Sequence, residues 1–555
     1  MSTETLSKAE LLKLNSQELR GTIIEELQND KPRFTKDADL LLKFHGMYQQ
    51  KDRDRRPKEE KHLGPKPFSL MVRGRIPGGR LTKDQWLIWD TLADKYSISG
   101  LRLTTRQSVQ IHGVLKHQIK KAIQDINETL QSTTGACGDV VRNVTQSVNP
   151  WGNKTLSAID PYADLISTHF EVASNAYQEI FLDGVQQLNI PDPIYKDRYL
   201  PRKFKIGITL AGNNSIDIYT HDLGFAATAN DTGDIDGFFV FVGGGMGQSH
   251  TDESTFPRLA DQIGWIAKDQ LIPVAEAVVT TQRDYGDRDN RAHARLKYTI
   301  ANRGVEWFKQ EVESRSGVTL QDKELPKWDT PEHLGWIEQA DGNLAFGVHL
   351  LSGRIINSDR FETKTALRKV IESYASSVQI TPEQDLILEG IDPQYKQTIE
   401  GIFDSYGVNP LVPNKTLQRA VTCVALPTCV KALAESERVG ETIFGRIAEL
   451  VDEAGKQSLA PTIRITGCPN GCARPYAAEI GLVGQLPNKY ALYIGGNAEG
   501  TRLNTLVKEK QSFEDIVEFL TTQFGEWKIR GESNERFGDF FHRISSQESE
   551  SSHES

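Results

Sequence analysis

The chain has 555 residues, of which 38% are hydrophobic and 25% charged, a globular balance with ample length to bury a core. Its net charge of −10 argues against general attraction to nucleic acid or an anionic membrane, so any anion site must be a local basic pocket in an acidic protein. No apolar run approaches the roughly 20 residues of a membrane helix, and the start MSTETLSKAELLKLNSQELRG lacks the pattern of a secretory signal.

In chain order, residues 1–64 are charge-rich, and KDRDRRPKEEKHLGPKP reads as an exposed N-terminal arm running into Pro/Gly punctuation. A small α+β unit is expected over 65–135 and a larger α/β unit over 136–330. A second small unit follows over 331–410 and a second larger one over 411–543. The polar end SSQESESSHES, with 544–555 as its bounds, is expected to be a disordered tail because it has nothing to bury.

The two halves repeat one another. FSLMVRGRIPGGRLTKDQW…SISGLRLTTRQSVQIHG (68–113) and NLAFGVHLLSGRIINSDRF…SVQITPEQDLILEG (343–390) each give a strand, a GGR or SGR turn, a helix and a strand hairpin. KFKIGITLAGNN (203–214) then corresponds in position to TIRITGCPNGC (462–472), and GFFVFVGGGMG (237–247) to YALYIGGNAEG (490–500). VVTTQRDYGDRDNR (278–291) echoes FLTTQFGEWKIRGESNER (519–536). Paired halves of this kind tend to enclose a site. FVGGGMG is not G-x-G-x-x-G and repeats in the other half. It reads as a tight turn or a close approach to a cofactor, not a nucleotide loop.

Four of the five cysteines cluster as Cys423-x5-Cys429, then 38 residues, then Cys468-x3-Cys472; Cys137 is remote and reads as a buried free thiol. An odd, clustered set without a signal argues against a disulfide framework and for a reducing cytoplasm. The x5 spacing is wide for a structural zinc knuckle, and no histidine lies between Cys423 and Cys472. An iron–sulfur cluster is a larger body and accepts such spacing. Pro427, Thr428, Pro469, Asn470 and Gly471 make turns that aim backbone amides at it.

TCVALPTCVKALAESER (422–438) and TGCPNGCARPYAAEIGLVG (466–484) resemble the signature pair of the siroheme-dependent sulfite and nitrite reductases. The resemblance extends from about residue 20 to 540. It implies an α+β fold with duplicated ferredoxin-like half-domains and two larger α/β domains. It also implies a 4Fe-4S cluster on Cys423, Cys429, Cys468 and Cys472, with Cys472 also the proximal ligand of siroheme iron. KAL just after Cys429 and ARPYAAE after Cys472 depart from the usual family runs but keep every ligand.

Basic residues recur at the matching segments. Arg73 and Arg75 share a strand face in VRGRIPGG, and Arg102, Arg106, Gln110 and His112 lie in LRLTTRQSVQIHG. Arg142 lies in VVRNV, and Lys203 and Lys205 share a face in LPRKFK. The bland alternative for each is a solvated strand face, or a core histidine at His112. By the resemblance, Arg73, Arg142, Lys203 and Lys205 contact the substrate anion, and Arg102, Arg106 and Lys297 take siroheme carboxylates. Gln110, His112 and Asn470 are counted with the cofactor-binding residues. Arginine suits fixed anion binding, whereas lysine can relay protons.

LRGTIIEEL, FTKDADLLLKFHGMYQQKDRD and PVAEAVVTTQRDYGDR are similar to the NADPH-dependent branch of the family. That likeness implies six-electron reduction of sulfite to sulfide in assimilatory sulfate reduction and cysteine biosynthesis. A flavoprotein α subunit carrying FAD and FMN would pass electrons from NADPH, giving a cytoplasmic hetero-oligomer. A ferredoxin-dependent sulfite or nitrite reductase shares the core motifs, and a non-catalytic iron–sulfur carrier is the alternative of another class; the basic pocket argues against the latter.

Overall fold

The computed structural model describes residues 6–54, 68–185, 191–412 and 414–553. The chain divides into two compact units, one of residues 1–244, 260–348 and 353–410 and the other of 245–259, 349–352 and 411–555.

In the first unit, two five-stranded antiparallel sheets carry the repeated small motif. One runs Met47–Lys51, Phe68–Arg73, Val109–Val114, Leu101–Leu103, Arg354–Ile355. The other runs Gly335–Glu338, Leu344–Val348, Leu386–Ile391, Ser377–Ile380, Arg80–Thr82. The last strand of each comes from the other half of the sequence: Arg354 sits opposite Arg102, and Leu81 opposite Val378.

The GGR and SGR turns direct this exchange. Gly78 and Ser352 both take left-handed backbone, with φ of 61° and 59°. The next residues, Gly79 and Gly353, do so again. A Cβ at Gly79 would lie 2.5 Å from the Ile380 carbonyl, and one at Gly353 would lie 2.6 Å from the Leu103 carbonyl, so both positions demand glycine. Each sheet therefore includes a strand from the other half, and segments 65–135 and 331–410 fold into one unit. Behind the exchanged strands, helix Lys83–Tyr96 is started by a reciprocal Thr82–Gln85 capping box and buries Trp86, Trp89 and Leu92. Its counterpart Thr363–Tyr374 buries Leu367, Val370 and Ile371.

The same unit holds a larger sheet in the order Asp261–Ala267, Ile235–Val242, Leu223–Ala229, Ile206–Leu210, Thr145–Gln146. The last three strands pair in parallel and the others antiparallel. Ile206, Ile208, Phe225, Phe238 and Phe239 form its buried core, and helix Leu271–Tyr285 follows its last strand.

Residues 6–54 are packed, which differs from the arm expected over 1–64. Helices Lys8–Leu14, Ile23–Gln28 and Lys36–Leu42 bring in Ile23, Ala38, Leu41 and Leu42, and Met47–Lys51 pairs with Phe68–Arg73. The charged composition misleads because Glu10 and Lys13 are themselves buried as a pair. Residues 55–67, the most charged part of the expected arm, lie outside the described residues.

The second unit repeats the larger sheet: Ala420–Thr422, Ile463–Thr466 and Ile480–Leu486 pair in parallel, then Lys489–Ile494 and Thr505–Gln511 follow antiparallel. Its interior strands are buried on both faces: in IRIT even Arg464 and Thr466 are buried. Helix Glu437–Glu453 packs Ile443, Phe444, Ile447 and Val451 into the core along one face, joined by Leu520, Phe524 and Trp527 from Phe513–Arg530. The Gly-rich turns of the two large sheets are tight turns: a Cβ at Gly244 would lie 2.2 Å from the Tyr219 carbonyl, and one at Gly496 would lie 2.3 Å from that of Ala478. Helix Phe537–His553 runs across the boundary expected at 544 and through most of the stretch expected to be disordered. Phe537 and Phe540 anchor its start in the core, and once nucleated a helix extends at little cost.

Candidate functional site

The cysteine site lies in the second unit, on the loops that follow two neighbouring parallel strands. Ala420–Thr422 delivers Cys423, and Ile463–Thr466 delivers Cys468 and Cys472. Cys423 is fixed at both ends: its backbone N–H donates to the Ile465 carbonyl at 3.2 Å, and its sulfur accepts from the Gly467 N–H at 3.2 Å. The Asn470 side-chain amide donates to Cys468 Sγ at 3.6 Å, which places Asn470 at the site. Cys429 N–H donates to the Ala425 carbonyl at 2.9 Å. Gly471 has φ of 61°, and a Cβ there would lie 2.8 Å from the Met246 carbonyl, so the turn between Cys468 and Cys472 is closely backed.

The four thiols act on one another. Burial, together with Cys472 and the other cysteines, pushes Cys423 up to about 12 and Cys468 up to about 11. Thiols so placed ionise only beside a strongly positive body. None of the four is in a disulfide, and Cys472 is the exposed one. Among the described residues, no three His, Cys, Asp or Glu side chains are placed to hold a single metal ion. Clustered sulfurs that receive N–H donors are soft ligands of the kind that suit zinc or an iron–sulfur cluster.

The basic site lies in the first unit. Segments 139–142 and 200–204 run alongside each other: Leu200 N–H donates to the Asp139 carbonyl at 2.9 Å, Phe204 N–H to Val140 at 3.1 Å, and Arg142 N–H to Phe204 at 2.9 Å. This pairing sets the backbone of Arg142 beside that of Lys203 and Lys205. Phe204 and Ile206 are buried and alternate with the two half-buried lysines. Arg142 donates to the Gly138 carbonyl at 3.0 Å and to the Tyr48 hydroxyl at 3.5 Å. Arg73 donates to Cys137 Sγ at 3.3 Å, with its guanidinium 5.9 Å from the Tyr48 ring centre. Cys137, the remote fifth cysteine, therefore packs between the two arginines of the expected anion site.

Gln110 and His112 lie on the strand beside Arg73. Turned with its oxygen toward the guanidinium, the Gln110 amide accepts from Arg73 Nε at 2.8 Å. His112 Nδ1 meets Gln50 Oε1 at 3.0 Å, while its buried Nε2 has no hydrogen-bond partner in the protein. Burial and the charges of Arg354, Arg102 and Arg73 push the His112 imidazole well below its ordinary value. An orphaned buried nitrogen ringed by arginines fits a polyanionic cofactor edge better than an ordinary core histidine.

Arg106 donates to the Asn143 carbonyl and to that of Ile206 at 3.1 Å, tying the arginine-bearing hairpin to the lysine strand. Burial lowers Lys205 well below an ordinary lysine, and Lys203, Arg106 and Arg295 add to the shift. Lys297 is buried in helix Leu296–Arg303, with its ammonium 4.8 Å from the Tyr298 ring centre. Arg75, which alternation aligns with Arg73, is used differently: it donates to the Ser167 carbonyl at 2.6 Å.

Sequence reading missed Tyr48, Gln50, Asp139 and the Asp222–Arg295 pair. Arg295 donates to both Asp222 oxygens, at 2.8 and 2.7 Å, and Asp222 Oδ2 also accepts from Lys205 N–H at 2.9 Å. No local signal marks Tyr48, because it comes from a strand preceding the repeated motif.

A model of the nitrite and sulphite reductase 4Fe-4S domain matches residues 162–320, and a model of the nitrite/sulfite reductase ferredoxin-like half domain matches 64–129 and 337–406. The four clustered cysteines lie outside these spans. A sulfite reductase (NADPH) hemoprotein beta-component from Staphylococcus carnosus (strain TM300) is 41% identical over 96% of this chain and 95% of its own. A protein of the same name from Shewanella sp. (strain W3-18-1) is 42% identical over 98% and 97%. The solved structure of the Mycobacterium tuberculosis NirA protein aligns over 97% of this chain and 96% of that one, with a TM-score of 0.79 at 21% identity, and shares its fold.

Proposed function

Because the chain belongs to the nitrite and sulfite reductase family, we propose that it is the catalytic hemoprotein of an NADPH-dependent sulfite reductase, reducing sulfite to sulfide for cysteine biosynthesis. The observation that carries this reading is the set of four cysteines on loops that follow neighbouring parallel strands, two of whose sulfurs receive N–H donors, in a chain of this family. Cys423, Cys429, Cys468 and Cys472 would hold a 4Fe-4S cluster. Cys472, the exposed thiol, would also ligate siroheme iron. Siroheme coupled to the cluster would supply electrons to the sulfur of a bound anion.

The chain's own residues supply the rest. Arg73 and Arg142, whose planar guanidinium groups suit fixed anion binding, hold the anion in place. Arg102, Arg106 and Lys297 are assigned to siroheme carboxylates, with Gln110, His112 and Asn470 at the cofactors. Converting sulfite to sulfide takes six electrons, and each departing oxygen leaves as water, so protons must be delivered. Lys205, with its lowered pKa, and Lys203 would give and regain them. Chain segments with the character of a nicotinamide or flavin site are not evident. Electrons are therefore assigned to a flavoprotein partner that draws them from NADPH, in a cytoplasmic hetero-oligomer. Among the described residues, no helix is long and apolar enough to cross a membrane.

The test is reconstitution. The purified chain should show siroheme and cluster absorption and should oxidise reduced methyl viologen with sulfite. With a flavoprotein partner, it should make sulfide from NADPH faster than with ferredoxin as donor. A colourless protein would end the reading, faster turnover with ferredoxin would reassign the donor, and a preference for nitrite would reassign the substrate.

A further inference from the structure

Helix Lys8–Leu14 contributes two charged side chains to the interior of the first unit. Glu10 and Lys13 are each 1% exposed, and Asp139, which they approach, is 3% exposed. Lys13 pairs with Glu10, stands 3.8 Å from Asp139, and donates to the Leu200 carbonyl at 2.8 Å. Arg288 pairs with Glu10 and donates to the Tyr199 carbonyl at 2.8 Å. Arg291 pairs with Asp139 at 2.8 Å and donates to the Pro201 carbonyl at 3.3 Å.

Burying such a network is costly, and hydrophobic side chains of similar volume would commonly stabilise the fold as well or better. What the charges do here is geometric. Apart from contacts within the network and an Arg288 bond to the Arg283 carbonyl, these contacts end on one of two short stretches, Asp139 or residues 198–201. Those stretches are the upstream ends of the paired segments whose downstream ends carry Arg142 and Lys203. Leu200 N–H already donates to the Asp139 carbonyl, so Lys13 clamps one rung of that pairing from both sides: the Leu200 carbonyl and the Asp139 carboxylate.

We propose that the N-terminal helix is a positioning strap for the anion site: Lys13, braced by Glu10, holds segments 139–142 and 200–205 in register so that Arg142 and Lys203 present their charges at a fixed separation. Lys13 is a positioning residue and does not touch the substrate. The inference rests on the assignment of Arg142 and Lys203 to anion binding made above.

The test uses the full-length protein with its cofactors. Lys13→Met, and Lys13→Gln as a milder change, remove the charge from the clamp; Lys8→Ala alters the same helix at its exposed Lys8–Asp37 pair and serves as control. Two readouts are needed. Amide hydrogen exchange should quicken in 139–142 and 199–205 in the Lys13 variants and not in Lys8→Ala. KM for sulfite should rise by about three- to tenfold, the size of effect that remote positioning contacts have, at unchanged iron and siroheme content. Unchanged exchange in those two segments would overturn the strap, as would a loss of activity that only tracks a loss of bound cofactor. If the wild-type chain does not reduce sulfite, the functional reading fails, while the exchange experiment still decides whether Lys13 holds the two segments.

Discussion

Gly467 donates its backbone N–H to the sulfur of Cys423 across 3.2 Å, and its lack of a side chain is what lets it do so. A Cβ at this position would lie 2.6 Å from the Ala434 carbonyl and 2.7 Å from the Ala425 Cβ, on the loop between Cys423 and Cys429. Leu433 and Ala434 N–H in turn donate to the Gly467 carbonyl, at 2.7 and 3.0 Å. The two cysteine loops are thus stitched together through one glycine.

Gly467→Ala is expected to push these loops apart. Overpacking of this kind costs about 1–3 kcal/mol, and here it falls on the ligand loops themselves. Iron content per chain should fall together with the thermal midpoint. Wild-type iron content at a wild-type midpoint would show that the loops are not held this tightly.

The buried Asp222–Arg295 pair gives a second prediction, in the first unit. Removing one partner leaves the other charge uncompensated, at a cost of about 3–5 kcal/mol. Asp222→Asn or Arg295→Met should lower the urea midpoint accordingly, at nearly constant slope. Replacing both, as Asp222→Leu with Arg295→Met, should restore much of the loss. Because Asp222 also receives Lys205 N–H, the single variants should lose sulfite turnover beyond their loss of stability.

Much of this arrangement was legible in the sequence, for identifiable reasons. The duplicated large sheets were readable because KFKIGITLAGNN and TIRITGCPNGC correspond in position, as do the Gly-rich turns after FFVFV and YALYI, and both sheets share one strand order. The cysteines announced themselves by spacing. The exchange of Arg80–Thr82 and Arg354–Ile355 between the small sheets was not legible, since strands of three and two residues carry no alternation and their partners lie in the other half. Tyr48 and the Glu10–Lys13 pair were missed because charge and polarity read as exposure unless the partners are known. The helix through His553 was missed because a polar tail has no apolar face of its own, and its start at Phe537 and Phe540 holds it.

His45 makes a prediction about pH. Burial against Phe181 and Tyr177 lowers its imidazole to about 4, although its Nε2 contact with the Leu19 carbonyl works the other way. In the unfolded chain it titrates near its ordinary value of about 6.5, so the unfolded state binds more protons between those values. Stability from this residue is therefore complete above about pH 6.5 and falls as the pH drops toward 4, by about 3 kcal/mol in total. His45→Gln should flatten that part of the stability–pH curve, measured by denaturant unfolding at several pH values. An acid slope identical to that of wild type would assign it to other groups.

Variants of Lys203 and Lys205 test the proposed division between anion binding and proton delivery. Lys203→Met should slow the turnover of bound sulfite more than it weakens binding; weak binding with normal turnover would refute the relay. Lys205 is held well below an ordinary lysine by burial, followed by Lys203, Arg106 and Arg295. A step that needs its proton is lost as the pH rises through that lowered value. Lys205→Arg, which stays charged, should shift the alkaline limb of kcat upward if charge alone is required, and should abolish turnover across the range if a proton is given up.

Cys472 carries the last prediction because it differs from its three partners in exposure. Cys423 and Cys468 sit where burial dominates their chemistry, whereas Cys472 lies open at the end of the TGCPNGC turn. An exposed side chain contributes little to folding, so Cys472→Ser should change stability by less than about 1 kcal/mol. If this sulfur bridges cluster and siroheme, the same substitution should shift the siroheme absorption and cut sulfite reduction by about 100-fold or more, since hydroxyl is a poor substitute for thiolate at iron. The two measurements together decide the role. Lost activity with an intact fold and an altered siroheme spectrum fits a bridge, and retained activity refutes it. Lost folding would give Cys472 a structural role instead.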